Sequence, residues 1–201
     1  MSMLLYKYCP PQGVAILREC SIWLTDPRVF GDAYEPAPRS STAASELVLS
    51  LSASWNSLPM WRDYAAAHTG LVIGFDFLQG ILTADPAYEY RIAPVAYASD
   101  RSGGADVLLT KSQEWEHEDE WRLVAGRRAA ADSGHRAPHR PFAIRPESVQ
   151  AVILGCRADL SVREFVAGAL AQAPFQHVRF LQAVPDDRGY HLNLIEFSRE
   201  A

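Results

Sequence analysis

Apolar residues return along this chain with two different periods, and the changes between them mark out its elements. Residues 46–54, ELVLSLSAS, place Leu47, Leu49, Leu51 and Ala53 on one side and Val48, Ser50, Ser52 and Ser54 on the other. That alternation predicts a strand with a hydroxyl-bearing face. Residues 3–8 predict a first strand; Pro10 and Pro11 cannot extend it but suit a first helical turn, so a helix to about residue 19 follows. Residues 22–25 read as a short strand closed by Asp26-Pro27. Ser57 is placed to cap a helix in which Trp61, Tyr64, Ala65 and His68 recur at three- and four-residue spacing until Gly70. A buried strand is predicted over 71–75, another strand over 91–97, and a helix from 106 to about 115. At Glu118 the period becomes two: Glu118, Glu120, Arg122 and Val124 alternate with Asp119, Trp121, Leu123 and Ala125, which predicts a strand. Strands near 142–144, 149–154, 177–184 and 191–197 and a helix over 160–173 complete the chain. This order predicts an α+β fold, mixed and mostly antiparallel, with a few flanking helices, rather than a doubly wound one.

A length of 201 residues fits a single domain over 1–201, in which 156–201 supply a helix and strands that complete the sheet. With 48% hydrophobic and 21% charged residues, disordered and fibrous classes are excluded. A net charge of −5 argues against a general electrostatic hold on nucleic acid. Residues 126–141, rich in Arg, Ala, Gly and Pro, read as a long loop. Cys9, Cys20 and Cys156 stand too far apart for a disulfide framework or a thiolate zinc site. The opening MSMLLYKYCPP has no secretory layout and no apolar run reaches the roughly 18 residues of a membrane span, so the expected setting is the cytoplasm, without a membrane.

Candidate chemistry gathers at five places. On a strand, Glu118 and Glu120 would put two carboxylates on one side with Cα atoms about 7 Å apart. Such a pair can stabilise an oxocarbenium-like centre and orient an attacking group. The ordinary alternative is a solvated edge in the acidic run EWEHEDE, and Arg122 on the same face could simply neutralise both. Ser52 and Ser54 could hydrogen-bond a ribose, or merely line an exposed face. Tyr6-Lys7-Tyr8 offers stacking and a cation on the first strand. Trp61, Tyr64 and His68 lay two aromatic rings and an imidazole along adjoining helix faces, which core packing alone would also require. His135 and His139 have a ligand-like spacing, but Gly134 and Pro138 disfavour a helix and no third ligand is near, so no metal is expected. The glycines form neither a P-loop nor a dinucleotide fingerprint.

Taken in order, Leu5-Tyr6-Lys7-Tyr8, Phe30-Gly31-Asp32-Ala33-Tyr34-Glu35, residues 60–76 (MWRDYAAAHTGLVIGFD), Val95-Ala96-Tyr97 and residues 111–122 (KSQEWEHEDEWR) resemble the motifs of a bacterial domain-of-unknown-function family. The likeness covers about residues 4–155. Family members often carry Asn and Pro where Gly31 and Ala33 stand, and His where Asp63 stands. The motif order is also similar to that of ADP-ribosyltransferases. That similarity implies a split-sheet core with NAD as substrate, bound by Tyr6, Lys7, Ser52, Ser54, Trp61, Tyr64, His68 and Arg122, although Arg or His is more usual at the place of Lys7. It implies that Glu120 holds the nicotinamide ribose and stabilises its developing charge, that Glu118 orients the acceptor, and that the acceptor is a protein or nucleic acid met by the Arg-rich loop. A toxin or defence role would follow. A non-catalytic nucleotide- or partner-binding module is the alternative, and a metal-independent nuclease or glycosidase using the same glutamates is a third.

Overall fold

The computed structural model describes residues 3–30, 46–99, 106–128 and 139–197. Residues 31–35 of the Phe30 motif, Gly103, Gly104, His135, Arg136 and most of the predicted Arg-rich loop lie outside the described residues.

Strand β4 (Leu71–Asp76) is buried at every position, as its unbroken apolar run requires. β1 (Leu4–Cys9) and β10 (Val149–Leu154) pair with it antiparallel on either side. β11 (Arg179–Pro185) lies parallel to β10, and β12 (Leu192–Glu196) closes that side antiparallel to β11. A parallel pair needs a crossover. Helix α3 (Leu160–Leu170) supplies it, with Asp159 accepting from the Val162 amide at 2.9 Å and Val162, Val166 and Leu170 buried at four-residue spacing.

On the other side of β1 the sheet forks. β3 (Glu46–Ser52) pairs with β1 at Ser52–Tyr6 and with β2 (Ser21–Thr25) at Val48–Thr25, one ladder partner pair in each case. β2 goes on to pair with β9 (His139–Ala143). Along its opposite edge β3 pairs over its whole length with β8 (Glu120–Arg127), and β8 pairs with β5 (Tyr88–Pro94). A short parallel pair, β6 (Ala96–Ala98) and β7 (Thr110–Ser112), sets Tyr97 opposite Lys111. The fold is α+β and mostly antiparallel, with few helices, as the hydrophobic pattern predicts. No helix among the described residues is long and apolar enough to cross a membrane.

Period two in β3 has the expected consequence. Leu49 and Leu51 join the main core with Leu5, Ile73 and Phe75, whereas Val48 faces the other way against Leu108 and Val124. A second core cluster, on Tyr8, Met60, Trp61, Val72 and Ile153, lies beneath helix α2 (Leu58–Asp63).

Four elements differ from their prediction. The helix expected to run to Gly70 stops at Asp63, because Ala66, Ala67 and His68 adopt positive φ of 48°, 53° and 70°. Ser57 precedes that helix without capping it; its hydroxyl donates to the His117 carbonyl at 3.1 Å. Instead of a helix over 106–115, two 3-10 turns bracket β7. The strand expected from Glu118 begins at Glu120, since Glu118 ends the second of those turns and Asp119 takes φ 44°, a left-handed conformation that Asp tolerates better than most residues. Finally, the run 91–97 breaks at Val95, whose amide donates to the Glu120 carbonyl at 2.8 Å and so separates β5 from β6.

Candidate functional site

Where β1 and β3 part, a cavity of about 320 Å³ opens, lined by residues that include Tyr6, Lys7, Ser50, Tyr64, Glu118 and Glu120. Each wall comes from a different element. Gly74 makes room for Tyr6: a Cβ there would stand 3.1 Å from the Tyr6 ring across the β1–β4 pair. Lys7 reaches across the fork and donates to the Ser50 carbonyl at 3.1 Å. Tyr8 donates to the Ser54 carbonyl at 2.9 Å and accepts from the Ser57 amide at 3.3 Å, pinning the turn that leads from β3 into α2. Burial pushes the Tyr8 phenol well above its ordinary range, so it stays a neutral donor.

A buried ionic network forms one wall. Arg122 holds Glu120 bidentately, Nε to Oε1 at 2.8 Å and Nη2 to Oε2 at 3.0 Å, while its Nη1 donates to the Leu108 carbonyl at 2.8 Å. Lys111 bridges the two carboxylates, 2.6 Å from Glu118 Oε2 and 3.4 Å from Glu120 Oε2. The Tyr64 hydroxyl donates to Glu118 Oε1 at 2.5 Å. The Tyr97 hydroxyl accepts from the Glu120 amide at 2.7 Å, and burial raises its phenol to about 12. Burial alone would raise the Glu120 carboxyl, but the Arg122 guanidinium, Lys111 and the Ser50 hydroxyl more than offset that and hold it below its ordinary value. Glu120 is therefore ionised at neutral pH. Trp115 and Phe30 close the network with their ring faces, 4.9 Å from the Lys111 ammonium and 5.3 Å from the Arg122 guanidinium.

No family model, curated protein or solved structure matches the chain. The resemblance read from the motifs thus stands on those motifs, and the chemistry must be argued from the cavity itself.

Of the residues singled out by sequence, Tyr6, Lys7, Tyr8, Tyr64, Glu118, Glu120 and Arg122 line this cavity. Five others among the described residues do not line it. Trp61 is fully buried in the second core cluster, with its ring edge-on to Tyr8 and its Nε1 donating to the Trp55 carbonyl at 2.8 Å. Ser52 is fully buried and its Oγ accepts from the Ser54 amide at 3.0 Å; the Ser54 Oγ in turn accepts from the Asn56 amide at 3.2 Å. Both serines therefore shape a turn. His68 stacks on Trp61 with ring centroids 6.0 Å apart, and burial lowers its pKa, which keeps it a neutral packing partner. His139 places its Nδ1 3.3 Å from the Thr25 Oγ1. Lys111, Trp115, Phe30 and Met60 line the cavity without having been singled out for chemistry. The signal for all four was their place in the motifs that carry the family resemblance.

Proposed function

We propose that this cavity binds the nicotinamide-ribose half of NAD and cleaves its glycosidic bond, passing the ADP-ribosyl group to an acceptor. The carrying observation is that two buried carboxylates, from separate elements, meet around one ammonium in a cavity also lined by Tyr6, Lys7 and Tyr64. A volume of about 320 Å³ lies at the small end of ligand sites, which suits half of a dinucleotide better than the whole.

In the reaction the C1′–N bond breaks and its electron pair leaves with the nicotinamide nitrogen, converting a pyridinium to a neutral ring. Positive charge passes to the ribose. A fixed carboxylate beside C1′ stabilises that charge, an effect whose removal typically costs about 100- to 1,000-fold in rate. An acceptor hydroxyl, or water, then bonds to C1′ and releases its proton to solvent. The Tyr6 ring at the cavity wall offers a face for the nicotinamide. The acceptor is a macromolecule, protein or nucleic acid, and the natural setting of such an activity is a toxin or defence factor in the cytoplasm.

A second reading, a nucleotide-binding module without turnover, is favoured by one observation: Arg122 already neutralises Glu120 in a bidentate pair. Incubating the purified protein with NAD and quantifying free nicotinamide separates the two. Release above the spontaneous rate supports the transferase. Saturable ADP-ribose binding without release supports the module, and the absence of both release and binding rules NAD out as the ligand.

A further inference from the structure

An ionised carboxylate offers about four lone-pair sites. Glu120 gives three of them to the protein: Arg122 Nε and Nη2 take one on each oxygen, and Lys111 takes a second on Oε2. Glu118 is engaged differently. It accepts from Tyr64 on Oε1 and from Lys111 on Oε2, which leaves one lone pair on each oxygen. Its charge is opposed by a single shared ammonium and a neutral hydroxyl, whereas Glu120 also carries a guanidinium in bidentate contact.

Resting on the NAD reading above, we propose that Glu118, and not Glu120, is the carboxylate that meets the ligand, with Glu120 a positioning residue that fixes Arg122 and Lys111. This reverses the roles that motif order implies. In NAD the atom met by Glu118 is the 2′-hydroxyl of the nicotinamide ribose, whose proton one spare lone pair accepts while the carboxylate faces C1′. Glu120 keeps at most one site, on the Oε1 that Arg122 Nε already holds, whereas Glu118 keeps one on each oxygen. Glu120 acts through its neighbours: with Arg122 held, Lys111 is divided between two carboxylates, and its weaker contact at 3.4 Å leaves most of its hold on Glu118.

The test compares Glu118→Gln and Glu120→Gln in three measurements: nicotinamide release from NAD, thermal unfolding, and the side-chain carboxyl signals of ¹³C-glutamate-labelled protein titrated with ADP-ribose, AMP and nicotinamide. The two glutamine variants assign the two signals. The expected result is a release rate down 100-fold or more in Glu118→Gln, measured at a temperature where its melt shows that variant folded. Glu120→Gln should lose at most tenfold in rate, melt lower, and show the Glu118 signal displaced as Lys111 transfers wholly to it. In the otherwise unaltered protein the Glu118 signal should move on ligand addition more than that of Glu120. If Glu120→Gln does not fold, the Glu118 signal, assigned by its loss in Glu118→Gln, and the release rate of that variant still decide. A protein that releases no nicotinamide while a probe moves the Glu118 signal refutes the NAD reading and supports this assignment. A Glu120 signal that moves as much or more, no carboxyl shift with any probe, or release that survives Glu118→Gln overturns it.

Discussion

Arg122 grips Glu120 two residues back along the same strand, through two hydrogen bonds of 2.8 and 3.0 Å, with both side chains almost fully buried. Removing one partner of such a pair leaves a buried charge uncompensated, which typically costs about 3–5 kcal/mol. Arg122→Met should therefore destabilise the protein by about that much in urea unfolding. The double variant Arg122→Met/Glu120→Gln should recover a large part of it, because no unpaired charge remains. Equal losses in the single and double variants would show that Arg122 matters only for its packing.

The same pair sets an acid dependence. Glu120 has its pKa depressed in the folded state, so its contribution to stability is present above the ordinary Glu value of 4.5 and fades as pH falls through the lower folded value. Stability of the unaltered protein should fall on acidification below about pH 4.5 more steeply than that of Glu120→Gln. Parallel pH profiles of unfolding free energy for the two proteins would refute the depression.

The residues of β8 explain what was legible in the sequence and what was not. From Trp121 to Gly126 each residue pairs with a strand on both edges, so period two shows directly. Glu118 fits the same alternation but sits outside the strand, because the left-handed turn at Asp119 depends on a 3-10 segment that no short-range pattern announces. The helix predicted to Gly70 fails for a related reason. Alanine gives no local cue for positive φ; the turn at Ala66–His68 is imposed by distant contacts, where the His68 carbonyl accepts from the Arg157 amide at 3.0 Å and Gly155 donates to the Gly70 carbonyl at 2.9 Å. Lys111 reaches the carboxylates from β7, and its role shows only once Glu118 and Glu120, at the C-terminal end of the acidic run, have folded back against it.

That left-handed turn carries strain which glycine would relieve. A residue with a Cβ typically costs about 1–2 kcal/mol in this conformation, and Ala66 and Ala67 are both exposed, so little packing is lost on removing a methyl group. Ala67→Gly should raise stability by about 0.5–1 kcal/mol despite glycine's greater unfolded-state entropy. Gly155→Ala should act oppositely, because a Cβ there would lie 2.1 Å from the His68 carbonyl oxygen. Thermal melts of the two variants should shift in opposite directions.

Trp61 separates a core role from a ligand role. Its ring is fully buried and its Nε1 donates to the Trp55 carbonyl at 2.8 Å, so Trp61→Phe should cost about 1–3 kcal/mol through the lost hydrogen bond and the smaller ring. Affinity for ADP-ribose should change by less than about twofold, since the side chain lies away from the cavity. A much larger drop in affinity at unchanged stability would return Trp61 to the ligand site.

Lys7 supplies the remaining charge. Among the described lining residues, Lys7, Lys111 and Arg122 against Glu118 and Glu120 give three positive and two negative groups, a net charge of +1. Lys111 and Arg122 are committed to the carboxylates, while Lys7 donates to the backbone carbonyl of Ser50 and keeps further N–H groups for a ligand. A charge-assisted hydrogen bond to phosphate is worth about 1.5–3 kcal/mol, or roughly 10- to 100-fold in affinity. Lys7→Met should therefore weaken ADP-ribose binding by at least about tenfold in calorimetry, with nicotinamide binding left nearly unchanged. Equal weakening of both ligands would mean instead that Lys7 acts by holding β1 to β3 at the fork, and the cavity would then lose shape rather than charge.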